Sequence, residues 1–415
     1  MHLSYFAHKD IIIMSYKVPK LFSKLSLINP TLQQTRTSVQ CNFPKAPYCT
    51  QGRILRYNTT VAWDYKPIHL SFLIPFFSFT KKMTVFLESS VVPTKDTKLT
   101  LGKAIRVPPI AIGCWQWGDK SYWDWTPEAE EDAKKAFNKA FELGIPFYDT
   151  AEVYGDGESE SEIKRFRESY AEEEKNQQVI ATKFFPHPDR IQFPDVLLSA
   201  LKDSLARLGM FKVDLYQIHA AIHPAEIEVV ADALADAYDA GLVKAVGVSN
   251  YGLDEIKRMH AALQKRNVPL ASNQISFSLL RTIPEKSGLI QLCHDLEVAV
   301  LAYSPLGMGL LTGKYSPHGP FPEKRDRFFK KFDPEQLTKL LDTLKTLSHK
   351  YERSQSAIAL NWCIAKGTIP IGGARTADHV EQNFTALGFR LSQDEINMLD
   401  KFAFVGSNNN EWQHG

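Results

Sequence analysis

Eight short apolar segments, each followed by an amphipathic one, run through roughly 300 residues and predict a closed (β/α)8 TIM barrel. The apolar segments are near-continuous rather than alternating, as strands buried on both faces must be. The rival architecture, an open doubly wound sheet, lacks its sequence marks. No glycine fingerprint follows the first strand segment, and no acidic ribose partner stands about 20 positions later.

Residues 1–98 are set apart as a non-globular tail, with no sustained period of either kind. Residues 1–87 carry eleven Lys/Arg against only Asp10 and Asp64, so this stretch is about +9 while the whole chain is +2. Basic, acid-poor and Ser/Thr-bearing, it has the composition of an organellar transit segment, but no clear amphipathic helix. An unstructured tail, or a mispredicted start with Met83 as the true one, is preferred to a targeting signal. Either implies a cytoplasmic protein; a plastid or mitochondrion is the alternative if residues 1–82 are a transit segment.

The barrel is expected over residues 99–405. Residues 107–112 read as the first strand, followed by the aromatic loop Gly113-Cys-Trp-Gln-Trp-Gly-Asp119. Thr126-Pro127-Glu128 then gives a cap, a first-turn proline and an early acid. Ala133, Ala136, Phe137, Ala140 and Phe141 keep helical spacing up to Gly144. Strands are expected at 145–148, 179–182, 213–218, 243–248, 270–274, 298–302 and 368–371. Helices are expected at 159–172, 193–208, 226–240, 253–265, 284–296, 334–349, 354–366, 377–387 and 392–403, the last ones extra to the barrel. Residues 406–415 are read as a C-terminal tail.

The near-neutral balance argues against nucleic acid or a membrane surface as the main partner. No apolar run reaches bilayer length; the longest, 68–79, is broken by Pro75. Five cysteines (41, 49, 114, 293 and 363) form no CxxC pattern or zinc spacing, and a reduced compartment is expected.

Chemistry shows at the strand ends. Asp149 closes the second strand, Lys183 the third and His219 the fourth, and Tyr154 follows five residues after Asp149. In a parallel barrel the C-terminal strand ends share one mouth, so an Asp, a Tyr, a Lys and a His would face one another there. Taken singly, each has an ordinary explanation, such as a turn-former, a packed ring or a solvated strand end. His223 is a rival to His219, but only His219 ends a strand.

This spacing, together with Val246-Gly-Val-Ser-Asn-Tyr251 and Leu301-Ala-Tyr-Ser-Pro-Leu-Gly-Met-Gly-Leu-Leu-Thr-Gly-Lys314, resembles the aldo-keto reductase family over about residues 100–403. Within that family the chain is similar to the pyridoxal-reductase and plant-type NADP-dependent oxidoreductase branch, on Gly113-Cys-Trp-Gln-Trp-Gly-Asp119 and Leu360-Asn-Trp-Cys-Ile364.

The resemblance implies that Tyr154 is the proton donor, with Asp149, Lys183 and His219 its partners. The physics is compatible: an adjacent ammonium should lower the pKa of a phenol, which is ordinarily near 10. It further implies NADP(H) as cofactor. Ser249, Asn250 and Gln274 would grip the nicotinamide carboxamide, and Tyr303 would stack on its ring. Ser304, Leu306, Gly309 and Lys314 would meet the pyrophosphate. Gly373, Arg375, Thr376, Gln382 and Asn383 would hold the 2′-phosphate and adenine at a helix start.

The glycine-rich loop 304–314 is no ATP-binding Walker loop. Met308 stands where its first glycine belongs, and Tyr315 replaces the Ser/Thr. Trp115, Trp117, Trp123 and Trp125 are expected to wall the substrate pocket, with one or two of them in the core. Ala220-Ala221 and Phe277 depart from common family residues and are expected to reshape that pocket.

The expected activity is NADPH-dependent reduction of an aldehyde or ketone, of which pyridoxal is one, with no metal required. The rivals are a cofactor-sensing subunit resembling potassium-channel β-subunits and an alcohol dehydrogenase working in the oxidative direction. A monomer is compatible with the sequence.

Overall fold

A computed structural model describes residues 84–409 and 413–415; the expectations for residues 1–83, targeting included, lie outside these. Ten strands are present among the described residues: β1 (Leu99–Leu101), β2 (Ile105–Val107), β3 (Ala111–Gly113), β4 (Phe147–Asp149), β5 (Val179–Phe184), β6 (Val213–Ile218), β7 (Val243–Ser249), β8 (Leu270–Ser276), β9 (Ala299–Tyr303) and β10 (Ile369–Gly373). Strands β3 to β10 close into a barrel in sequence order, β10 pairing back onto β3, and every pair is parallel. This is the (β/α)8 barrel the alternation predicts.

Helices α1 (Glu128–Glu142), α2 (Glu158–Arg167), α3 (Asp195–Leu208), α4 (Ile227–Asp239), α5 (Leu253–Lys265), α6 (Leu289–Asp295), α7 (Pro334–Tyr351), α8 (Gln355–Ala365), α9 (Ala377–Phe384) and α10 (Gln393–Asp400) make up the outer layer. Their apolar stripes set their seating. In α1, Ala133, Ala136, Phe137 and Ala140 are the buried positions, one face of a 3.6-residue period. Helix α8 is buried from Ser356 through Ile364. Asn361 inside it satisfies two loop carbonyls, donating to Ala386 and Phe389 at 2.9 Å each.

The expected first strand is split. Pro108 and Pro109 interrupt the apolar run, and proline supplies no ladder donor. Residues 105–107 instead pair antiparallel with β1, and the barrel strand starts at Ala111. The hairpin turns at Gly102, in the left-handed region at φ +57°; a Cβ there would lie within 3.4–3.7 Å of Ala271, Ala245 and Pro269. It therefore packs at the N-terminal end of the barrel, leaving the C-terminal mouth for chemistry. The helix expected at 284–296 is also split, by Gly288 at φ +81°.

Residues 84–98, expected in the tail, lie against the barrel. Val85 and Leu87 are buried, Phe86 stacks on His294 at 4.1 Å, and Gly388 donates its N–H to Pro93 at 2.7 Å. The C-terminal residues also fold back. Arg281 donates to the carbonyl of Gly415 and to Asn408 Oδ1, and His414 pairs with Glu255 at 2.7 Å. Among the described residues no helix is long and apolar enough to cross a membrane.

Candidate active site

Asp149, Lys183 and His219 end or follow β4, β5 and β6, so parallel pairing brings them to one rim of the barrel. Lys183 is fully buried. Its Nζ donates to Asp149 Oδ2 at 2.6 Å, to the Thr150 carbonyl at 2.8 Å and to Tyr154 Oη at 3.3 Å. Tyr154 Oη lies 3.5 Å from His219 Nε2. The four side chains named from the sequence thus form one connected group. His223 is directed elsewhere, bonded to Ala225 and Tyr251 at 2.7 Å each.

The electrostatics correct one expectation. Burial, reinforced by the Asp149 carboxylate, pushes the Tyr154 phenol well above its ordinary range. The Lys183 ammonium 3.3 Å away works in the opposite direction but is itself paired with Asp149, and burial prevails. Burial pulls Lys183 itself below the usual lysine range, opposed by Asp149. Burial and then the Lys183 charge hold His219 well below the usual imidazole range. At neutral pH the site therefore holds a protonated phenol and a neutral imidazole, two hydrogen-bond donors.

Two glutamines hold the carboxylate. Gln274 Nε2 donates to Asp149 Oδ1 at 2.7 Å, and Gln217 Nε2 reaches the same oxygen at 3.4 Å. Ser272 donates to Gln217 Oε1 at 3.2 Å. Gln217 was not singled out in the sequence; its position two residues before His219 in β6 points it into the barrel, and that alternation was the available signal.

Of the residues assigned to the nicotinamide, Ser249 donates to the Gln274 carbonyl at 2.8 Å, and Asn250 Nδ2 to the His219 carbonyl at 3.1 Å. Asn250 adopts φ +62°, a conformation asparagine tolerates. Tyr303 Oη donates to Asn250 Oδ1 at 2.9 Å and accepts from Gln413 Nε2 at 3.1 Å. Ser249, Asn250, Gln274 and Tyr303 thus form one network.

In the following loop Ser304, Gly307, Met308 and Gly309 all have positive φ, turning the backbone tightly through Leu306 and the short helix Gly307–Thr312. Arg325, which sequence reasoning missed, donates to the Met308 carbonyl at 2.9 Å and covers the Trp123 ring at 5.1 Å. Nothing local to Arg325 signals this; it lies 17 residues beyond Met308.

After β10, Thr376 caps α9 by accepting from the His379 N–H. Asn383 Nδ2 donates to the Gly373 carbonyl at 3.3 Å, and Gln382 lies beside it on α9. Burial, then Arg375 and Lys314, lower the pKa of His379, so the segments after β9 and β10 each bring a cation near this imidazole. Among the described residues Arg375 forms no ion pair. Two unpaired cations beside a helix start fit a phosphate group.

Trp115 lies 6.3 Å from the Tyr154 ring and edge-on to Trp123 at 5.6 Å, both near the mouth. Trp117 is placed elsewhere. It is fully buried, packs on Phe137 and Phe166, and donates its Nε1 to the Ala374 carbonyl at 2.9 Å. Trp125 belongs to the hydrophobic core. Phe277 is fully buried and stacks on Trp362 at 5.1 Å, a packing role rather than a pocket one.

The model of the aldo/keto reductase family matches residues 109–403. The chain belongs to that family. Pyridoxal reductase, chloroplastic, from Arabidopsis thaliana is 37% identical over 309 residues, 71% of this chain and 83% of that protein. The glycerol dehydrogenase AKR11B4 from Gluconobacter oxydans superposes with a TM-score of 0.65 at 26% identity, covering 77% of this chain and 99% of its own. The Bombyx mori aldo-keto reductase AKR2E4, solved in complex with NADP, gives a TM-score of 0.58 at 25% identity over 75% of this chain and 94% of its own. As a member of this family, the chain is an oxidoreductase acting on carbonyl and alcohol groups.

Proposed function

We propose that this oxidoreductase reduces an aldehyde or ketone to an alcohol, with Tyr154 as proton donor and pyridoxal among its substrates. The observation that carries the reading is the placement of the Tyr154 hydroxyl between Lys183 at 3.3 Å and His219 at 3.5 Å, beside a fully buried ion pair. NADP(H) is the cofactor, and when bound it supplies the hydride.

The residues of the chain do the rest. A carbonyl oxygen at Tyr154 becomes more basic as negative charge develops on it. The phenol, kept protonated by burial, gives up its proton there, and neutral His219 donates a hydrogen bond from Nε2. The phenolate left behind lies beside the Lys183 ammonium, which Asp149 and the Thr150 carbonyl hold in place. Tyr303 and the Ser249–Asn250–Gln274 group fit the nicotinamide end, while Lys314, Arg375, Thr376 and Asn383 fit the phosphate and adenosine end.

The pyridoxal assignment is supported by the relative of that name, and small aldehydes are the other class to test. Loss of nicotinamide absorbance with NADPH and a panel of pyridoxal, small aldehydes and ketones tests the proposal; no multiple-turnover oxidation with any of them would defeat it. The likeness to a glycerol dehydrogenase favours alcohol oxidation as the second reading, which the same assay run with NADP⁺ and polyols separates. For the compartment we favour the cytoplasm over a plastid; fluorescent fusions with and without residues 1–82 decide it.

A further inference from the structure

Outside the barrel mouth, a cleft of about 370 Å³ opens between the loop after β3, the turn after Tyr154, and helices α1 and α2. Five carboxylates line it: Asp119, Glu130, Asp156, Glu158 and Glu162. Trp125 lines it as well, and none of the four tetrad residues does. Arg165 offsets part of this charge, donating to Glu130 at 2.9 Å and to Glu158 at 2.6 Å.

Glu162 stands apart from the other acids. Its residue is fully buried, yet neither carboxylate oxygen has a hydrogen-bond partner. The nearest cation is Arg165, 3.4 Å away and already committed to the other two glutamates. A buried carboxyl group that accepts no hydrogen bond and shares its one cation with two other glutamates is costly, and natural cores rarely hold one. Here it lines a cleft large enough for a small molecule.

We propose that this cleft binds a small organic ammonium ion, a primary amine or diamine, with Glu162 and Asp156 as its anchoring carboxylates and Trp125 as its aromatic wall. An alkylammonium supplies the donors that Glu162 lacks, and its carbon chain suits an indole face. A metal ion fits less well. Among the described residues no three acids, histidines or cysteines are placed to hold one, and the cleft far exceeds an ion in size.

Binding is coupled to a proton. Burial, then the neighbouring Glu130 and Glu158 charges, raise the Glu162 carboxyl to about 8, against the opposing pull of Arg165. Asp119 and Lys120 on the β3 loop, Asp156 on the turn, and the Cys114 thiol at the end of β3 are the other titratable groups around it. An ammonium favours the ionised carboxylate, so its arrival releases a proton below pH 8 and affinity rises as pH approaches that value.

The test is calorimetric titration of the full chain with 1,4-diaminobutane, with calcium chloride and choline chloride as separate titrants, at pH 7 and 8.5. The proposal expects saturable diamine binding that tightens with pH and is stronger than for either other titrant. Glu162→Gln should weaken it about tenfold and flatten its pH dependence. Asp156→Asn, at an exposed turn position, should weaken it while leaving the pH dependence, and it serves as the readout if Glu162→Gln does not fold. Absent diamine binding at pH 8.5, equal affinity in wild type and variant, or tighter binding of calcium would each overturn the proposal. None of these readouts depends on reductase turnover, so they stand apart from the reaction proposed above.

Discussion

Gln274 Nε2 donates to Asp149 Oδ1 at 2.7 Å, tying a residue proposed for the nicotinamide end of the site to the carboxylate that holds Lys183. The proposed cofactor cradle and the proposed proton-donating group are therefore one hydrogen-bonded unit. At its centre is an ion pair whose side chains are 0% and 4% exposed. Removing one member strands the other charge in a buried interior.

Asp149→Asn should accordingly destabilise the fold by about 3–5 kcal/mol, as breaking a buried pair does. Asp149→Asn combined with Lys183→Met should recover part of that loss. Denaturant unfolding of the two singles and the double measures it; additive losses would mean that the pair is not coupled.

Tyr154→Phe removes only a hydroxyl, yet that hydroxyl is the proposed acid. Turnover should fall by about 10²–10⁴-fold while NADPH affinity stays within about threefold. In the wild type, turnover should stay flat across roughly pH 6.5–9.5, because His219 is neutral and Tyr154 protonated throughout. A fall in turnover near the ordinary histidine range would contradict this assignment.

Arg375→Ala addresses the phosphate end. Because Lys314 remains nearby, NADPH binding should weaken about 10–100-fold rather than vanish, and NADH binding should change little. Fluorescence titration of both nucleotides measures this. Equal losses would remove the case for a 2′-phosphate contact.

Glu162→Gln tests burial alone. The folded wild type holds a proton up to about pH 8 that the unfolded chain gives up near the ordinary carboxyl range. Relative to the glutamine variant, the wild type should be most stable at acid pH. It should lose up to about 5 kcal/mol as pH rises to 8 and level off above it. Thermal melts of both proteins from pH 5 to 9 provide the comparison; parallel curves would refute a raised carboxyl.

The architecture was legible because it rests on local rules. Continuous apolar segments of five or so residues become buried parallel strands wherever they occur. The clustering of the proposed catalytic side chains was legible for the same reason: Asp149, Lys183 and His219 each stand at or next to the end of their strand, and closure of the barrel brings such positions to one rim. Two boundaries failed where a proline pair or a left-handed glycine cut a run that hydrophobicity alone would continue. The helices expected at 159–172 and 377–387 end early, at Arg167 and Phe384, and residues 84–98, expected in the tail, pack on the barrel through long-range contacts.

What only the tertiary structure decided concerns contacts between residues far apart in the chain. Trp117 and Trp115 are two positions apart, yet one is sealed in the core and the other reaches the mouth. Gln217 and Arg325 gain their roles from partners brought to them by the fold. The protonation of Tyr154, His219 and Glu162 follows the same rule. A side chain's identity fixes which proton it can carry, but its surroundings in space, dry or charged, fix how tightly it is held.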